Sequence, residues 1–422
     1  MIRVCDAIMG SGKSSAAITY MNEHADERFV YITPYVDEAA RIKACCPALH
    51  FIEPSDRIAE YGFTKTGHTR ELLKEGRNVA TTHQAFLYYT QEMLGQIREK
   101  GYTLIIDENV SVLEEYAIKA GDLEVLVRSG CVRKDGDKYE VADQPYSGEI
   151  FKGAFRFMKS RELISGGKRD GESLFYWALP PALISSFRDV FVLTYLFDGQ
   201  DIHHFLEMHS IPYRYIGVVS GDDGTYRFSE TEFGIPAYVQ TLRDRIHIFE
   251  GKKLNAIGDD KFALSMNWFN KPGNASRLKR NISNYFRHIM GDDTSEKRMW
   301  GTYDGTKGAL RGKGYTKKFV IFNERATNKY RDRTVLAYVV NLFMNASRKY
   351  YYRTKGVEAS DDMYALSNMV QWIWRSAIRD GKDIWIYVPS RRMRELLMDW
   401  IERTERQYEE YRVKKGGRAH NG

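Results

Sequence analysis

The chain predicts an α/β fold: parallel sheets flanked by helices, in two domains, with a loop-rich insertion in the first. Three observations predict it. Short apolar runs alternate with amphipathic stretches of helical period, the pattern of a parallel sheet covered on both faces. The polar residues of the first half gather where those apolar runs end, at the carboxyl ends of strands, where such sheets bind ligands. At 422 residues the chain exceeds one ordinary core and suits two.

The elements follow in order. "MIRVCDA" is β-rich and stops at glycines, and "SSAAITYMNEHA" continues as a helix. "RFVYITP" reads as a strand, "VDEAARIKACC" as a helix and "LHFIEP" as a strand. "TRELLKEG" is a helix with a glycine stop, "NVATTHQ" a strand, and "FLYYTQEMLGQIREKG" a helix leading into the strand "YTLIIDEN". Between about 125 and 175 the pattern dissolves into polar, glycine-bearing sequence ("RSGCVRKDGDKYEV", "LISGGKRDGES"), taken as the loop-rich insertion. Strand character returns in "DVFVLTYLF". The expected boundaries are 1–205 for the first domain and 206–412 for the second, with "YRYIGVV" as the first strand of the latter. The second domain continues through a helix over "YALSNMVQWIWRSAIRDG", the strand "DIWIYVPS" and the helix "RRMRELLMDWIERTERQYEEY". Residues 413–422 read as a basic, flexible tail.

Composition excludes several classes. Hydrophobic content of 43% with 28% charged residues describes a globular chain, not a disordered one. No run approaches the roughly twenty apolar residues that cross a bilayer, and the start at Met1 with Asp6 in the first strand leaves no room for a signal peptide, so a cytoplasmic location without membrane contact is expected. Cys5, Cys45, Cys46 and Cys131 include no C-x-x-C pair and are expected as reduced thiols. "HHFLEMH" places His203, His204, Glu207 and His209 on one helix, read as surface histidines in preference to a metal site. A net charge of +7 and 28 tyrosines suit a polyanionic partner with stacking surfaces, and equally suit solubility and ordinary tyrosine-rich cores.

The chemistry concentrates in "DAIMGSGKSS", residues 6–15, between a strand and a helix. Ala7 replaces the first glycine of G-x-x-x-x-G-K-[ST], a position whose methyl group can point away from a ligand. Gly10 and Gly12 let backbone N–H groups turn onto phosphate oxygens, Lys13 reaches the β- and γ-phosphates, and Ser14 can hold Mg²⁺. The whole loop (Ala7, Met9, Gly10, Ser11, Gly12, Lys13, Ser14 and Ser15) is therefore expected to bind ATP. "LIIDEN" supplies Asp107 as a second magnesium residue and Glu108 to orient and deprotonate the attacking water. Coupling hydrolysis to motion calls for a guanidinium from the second domain; Gln371, Arg375 and Arg379 in "QWIWRSAIR" would share one helical face, and polar groups in so apolar a segment are costly to bury without a ligand.

These residues resemble the motifs of superfamily 2 helicases, the DEAD/DEAH-like group, especially their phage and viral members. "AIMGSGKS" is similar to motif I, "ITP" with Arg41 to motif Ia, "TTH" to the following strand-contact motif, "DENV" to the DEAD box, "LTYLF" to motif III and "QWIWRSAIR" to motif VI. The resemblance spans nearly the whole chain in the family's order. It implies two RecA-like domains, ATP and Mg²⁺ as cofactors, catalytic roles for Glu108, Gln371, Arg375 and Arg379, and a coupling role for Thr194. It also implies single-stranded or forked nucleic acid, DNA in preference to RNA, contacted near Thr33, Pro34, Arg41, Thr82 and His83, with replication proteins as further partners. "NERATN", with Arg325, Thr327 and Asn328, is the candidate for the last contact motif, and a plain turn fits it nearly as well.

Arg379 falls one position later than the family's last arginine, which leaves Arg375 as the stronger finger. Tyr195 stands where motif III has a small residue, and no upstream glutamine motif precedes the P-loop, so base selectivity is not implied. The implied function is an ATP-driven helicase or translocase of phage replication or recombination. Two alternatives stay open: a terminase-like packaging motor, with "IGDD" and "MGDD" as its only acid clusters, and a nucleotide-dependent loader that binds DNA without moving. The tracts "SRLKRNISNYFRH" and "SRKYYYRTKG" fit strand binding and solvated basic faces equally.

Overall fold

The structure, a computed structural model, describes residues 1–419 apart from 35, 58–63, 143–145, 159, 170 and 324–328. The chain forms two compact units. One comprises residues 1–7, 12–233 and 345–359, the other 8–11, 234–344 and 360–422.

The first unit is built on a six-stranded sheet, ordered Tyr213–Tyr215, Ile2–Asp6, Asp189–Thr194, Thr103–Asp107, Phe29–Thr33, Val79–Thr82, with every pairing parallel. Its central strands are buried end to end: Phe29–Thr33 and Thr103–Asp107 have no exposed position. That burial is why they read as continuous apolar runs with no alternation. The helices Lys13–Glu23, Val36–Cys45, Lys65–Glu75 and Gln91–Lys100 lie between these strands in sequence. The expected glycine stop holds: Gly76 caps Lys65–Glu75 at φ 75°, with its N–H on the Leu73 carbonyl.

Three expectations are corrected here. The insertion is not loop-rich. Leu113–Glu115, Glu172–Ala178, Glu162–Arg169, Lys138–Val141 and Val132–Asp135 form a five-stranded antiparallel sheet. With the helices Ala120–Arg128 and Lys152–Met158 it encloses its own core around Leu123, Leu126, Leu163, Phe175 and Trp177. Asp-Gly pairs between apolar–polar alternations are hairpin signals, and Gly136 at φ 59° is one such turn, between strands Val132–Asp135 and Lys138–Val141. Second, "YRYIGVV" does not open the second sheet. Tyr213–Tyr215 is the edge strand of the first, and Gly217–Ser220 pairs with Tyr226–Ser229 in a hairpin, so the first unit runs past residue 205. Third, His204 is not a surface residue: it is 1% exposed in the helix Asp201–Met208. Among the described residues no three metal-ligating side chains gather there.

The first unit also recovers a piece of chain from far downstream. The helix Ala346–Thr354 belongs to it, although the residues on either side belong to the second unit. Arg348 donates to buried Asp201 at 2.8 Å and Tyr352 Oη donates to the same carboxylate at 3.2 Å. Lys355 pairs with Asp137, and Tyr351 packs against Tyr176. The tract "SRKYYYRTKG" is thus docked into the first unit through Arg348, Tyr351, Tyr352 and Lys355.

The second unit holds a four-stranded parallel sheet ordered Ile246–Ile248, Ile384–Tyr387, Val335–Tyr338, Arg298–Gly301. Helices Asn274–Asn284, Asp361–Ile373 and Arg391–Ala419 accompany it, and Trp300, Tyr285, Tyr387 and Leu278 are among its buried core. The last helix continues to Ala419, where a flexible tail was expected. No helix among the described residues is long and apolar enough to cross a membrane.

Candidate active site

The loop after the first strand has the backbone its glycines foretell. Gly10 sits at φ 79° and Gly12 at φ 91°, conformations that a side chain resists. Gly12 is glycine for a second reason: a Cβ there would lie 2.1 Å from the Tyr226 ring. Gly12 opens the helix Lys13–Glu23 with no side-chain cap and no acid in its first turn, so the helix N-terminus keeps its positive end for an anion. The Lys13 ammonium donates to the Ala7 carbonyl, and the Ala7 N–H donates to the Thr194 carbonyl at 3.1 Å. Ser11 Oγ is buried without a hydrogen-bond partner among the described residues, an open polar position within the loop.

Two strands away, Asp107 ends its strand with a buried carboxylate. Ser14 Oγ donates to both of its oxygens, at 3.3 and 3.4 Å. Tyr31 Oη, fully buried on the neighbouring strand, donates to Oδ2 at 2.7 Å. Burial, then the adjacent Glu108 charge, push the Asp107 carboxyl up to about 7, against the pull of the Tyr31 hydrogen bond. A divalent cation beside Ser14 and Asp107 is the charge that would return it to the ionised form. The hydroxyl and carboxylate are hard oxygen donors of the kind Mg²⁺ takes, so these residues fit the ion, and the glycine-rich loop fits a polyphosphate.

Glu108 adopts φ 69°, a left-handed conformation that costs a non-glycine residue about 1–3 kcal/mol. The peptide before it is held on both sides. Its N–H donates to the Leu193 carbonyl at 3.0 Å, and the Asp107 carbonyl accepts from His83 Nε2 at 2.9 Å. Glu108 itself is half-buried, so its carboxylate reaches solvent while its backbone is fixed. Sequence reasoning missed Tyr31 and the bond from His83 to the Asp107 carbonyl. The one signal for Tyr31 was a hydroxyl inside the apolar run "FVYIT". His83 was expected at a nucleic-acid surface, yet it is 7% exposed and supports the acid pair.

The remaining expected residues fall as follows. Thr33 is fully buried, its hydroxyl without a partner among the described residues, whereas Pro34 and Thr82 are half-buried and Arg41 is exposed and paired with Glu38. Thr82 caps the short helix His83–Phe86. Thr194 is buried and donates to Gln200 Oε1 at 2.6 Å, and Gln200 Nε2 donates to the Tyr195 carbonyl at 2.8 Å. Arg325, Thr327 and Asn328 lie outside the described residues.

In the second unit, Gln371 lies in the helix Asp361–Ile373 and donates to Ser367 at 3.3 Å. That helix stops before Arg375. Ser376 is extended (ψ −170°), its hydroxyl bonds the Ile373 carbonyl at 2.6 Å, and a separate 3₁₀ turn covers Ala377–Asp380. The single helical face expected for Gln371, Arg375 and Arg379 is therefore corrected: the serine ends the helix between them. Arg375 is buried (4% exposed) and Arg379 is exposed beside Asp380.

The class defined by these features is an α/β protein with two parallel sheets and a glycine-rich loop, lysine and acid pair at the carboxyl edge of one of them. Within that class the chain belongs to the YonV family. It is 39% identical over 412 residues to the SPbeta prophage-derived uncharacterized protein YonV of Bacillus subtilis (strain 168), covering 95% of this chain and 98% of the relative. Residues 240–401 match the family described as the YonV C-terminal Rossmann-like domain. Among solved structures, the chain is similar to S. tokodaii Xpd4 at 12% identity and TM-score 0.44, covering 94% of each chain. It is also similar to an XPD helicase at 10% identity and TM-score 0.40, covering 94% of this chain and 95% of that one.

Proposed function

We infer that the protein is an ATP-dependent nucleic-acid motor, a helicase or translocase acting on DNA in phage replication or recombination. The observation that carries this reading is the Ser14–Asp107 contact, with Lys13 and two left-handed glycines on one side and Glu108 on the other. Two stretches of sequence nearly a hundred residues apart converge there as ATP hydrolysis requires. The loop amides and Lys13 bind the triphosphate. Ser14 and Asp107 hold Mg²⁺, with Tyr31 fixing the carboxylate's orientation. Magnesium, when bound, supplies Lewis-acid polarisation of the γ-phosphate and holds the phosphates in line. Glu108 orients the attacking water and takes its proton, and its pinned backbone keeps the carboxylate from drifting. Arg375 is assigned the guanidinium that stabilises charge on the transferred phosphoryl group, with Arg379 as its substitute, and Thr194 the coupling of the P-loop to Gln200.

The prophage origin of the Bacillus relative supports the phage setting. The test is ATP hydrolysis with and without single-stranded DNA or RNA, beside strand unwinding. Acceleration by DNA is the expected result; hydrolysis indifferent to both nucleic acids would replace the motor with a nucleotide-dependent loader.

A further inference from the structure

Two basic tracts with interleaved aromatics stand in this sequence, and the structure treats them in opposite ways. The tract at 347–356 spends two of its charges on carboxylates of its own unit, Arg348 on Asp201 and Lys355 on Asp137. In the tract at 276–288, Arg287 alone among the arginines and lysines has an acidic partner among the described residues, Asp292. Its aromatics, Tyr285 and Phe286, are core residues, and Leu278 and Ile282 are fully buried, which fixes the inner face of the helix Asn274–Asn284. That leaves Arg277, Lys279 and Arg280 exposed, none with an acidic partner among the described residues. The helix contains no Asp or Glu at all.

A second basic pair joins it. Asn281 Nδ2 donates to the Leu254 carbonyl at 3.1 Å, which brings the short helix Lys252–Asn255 alongside. One turn before Asn281 on the same side is Arg277, and directly before Leu254 are Lys252 and Lys253, both exposed and without acidic partners among the described residues. Lys271, exposed just ahead of the helix, adds a further positive charge. In the other tract Arg348 and Lys355 meet carboxylates of the same unit, whereas these exposed cations leave one surface positive, the complement of an external polyanion.

We propose that the outer face of the helix Asn274–Asn284, with Lys252 and Lys253 beside it, is a track for the phosphodiester backbone of a nucleic-acid strand. This rests on the nucleic-acid reading above. Without exposed aromatics in the tract, the face offers charge and no stacking, so it holds phosphates without reading bases.

The test measures binding of a fluorescent oligothymidylate to the full chain across a series of NaCl concentrations. Arg277→Gln/Arg280→Gln is compared with the parent and with Arg277→Lys/Arg280→Lys, the fold of each being checked by its melting temperature. Loss of two phosphate contacts should weaken binding about tenfold at moderate salt and reduce the slope of log K against log salt by about 1.4, roughly 0.7 per contact on a single strand. The lysine variant should retain most of the parent affinity, a rescue that a purely structural role for the arginines would not give. A parent that binds no oligothymidylate would overturn the nucleic-acid reading itself. A parent that binds, with a glutamine variant of unchanged affinity and slope, would overturn the track alone. Competition by polyglutamate as strong as by oligothymidylate of equal charge would assign the face to an acidic protein and also overturn it.

Discussion

The two parallel sheets of this molecule are built alike and end differently. In the first, five of the six strands finish on Asp6, Thr33, Thr82, Asp107 and Thr194, and only the edge strand Tyr213–Tyr215 ends on an aromatic ring, Tyr215. In the second they finish on Ile248, Gly301, Tyr338 and Tyr387, and the two tyrosines are fully buried. The same architecture can therefore place chemistry at a sheet's carboxyl edge or close that edge with packing. Lys13, Ser14 and the Asp107–Glu108 pair lie with the polar strand ends of the first unit, whereas the exposed polar side chains of the second stand away from its strand ends, as on the helix Asn274–Asn284.

That contrast can be broken in several ways. The largest effect belongs to the acid pair: Glu108→Gln should lower ATP turnover by about ten-thousandfold, the upper range for a lost general base, while fluorescent ATP still binds. Loss of nucleotide binding equal to that in Lys13→Ala would remove Glu108 from its role. Next is Arg375→Ala, with ATP affinity largely intact and turnover down about a thousandfold. Normal turnover in that variant would mean that the second unit lends no cation from this position. Smaller still is Tyr31→Phe, which removes a single hydroxyl from behind Asp107. A magnesium titration of turnover should show half-saturation raised about tenfold with maximal rate nearly kept, the usual range for a group behind a metal ligand.

The last prediction concerns stability. Burial, then the neighbouring His203, lower the His204 imidazole to about 4, below its unfolded value near 6.5. The unfolded chain thus binds a proton that the folded chain refuses, so stability is full above about pH 6.5 and falls as pH drops toward 4, by about 3 kcal/mol at most. His204→Phe should flatten the melting temperature across that window. An unchanged acid slope would show that protons enter elsewhere.

The first sheet, apart from its edge strand Tyr213–Tyr215, was legible in the sequence because its signals are local. A buried strand is a run of apolar residues, a helix stop is a glycine, and the P-loop lies within ten residues of one another, 6–15. The insertion was opaque because its strands are short and amphipathic and its Asp-Gly turns look like loop sequence until the alternation on either side is weighed. The helical face through Gln371 and Arg379 failed on one residue, Ser376, whose hydroxyl competes with the helix for the Ile373 carbonyl. Tyr31 was hidden because its partner lies on the adjoining strand of a parallel sheet, a pairing that no window along the chain contains.

The helix Ala346–Thr354 has a bearing on how the polypeptide could be divided. Severing the backbone after Phe233 would not yield a self-sufficient amino-terminal half. Asp201 would lose both Arg348 and Tyr352, and stranding one member of a buried ion pair typically costs about 3–5 kcal/mol. The two fragments should instead need co-expression to become soluble, because the carboxyl-terminal piece carries a splint that the amino-terminal piece requires.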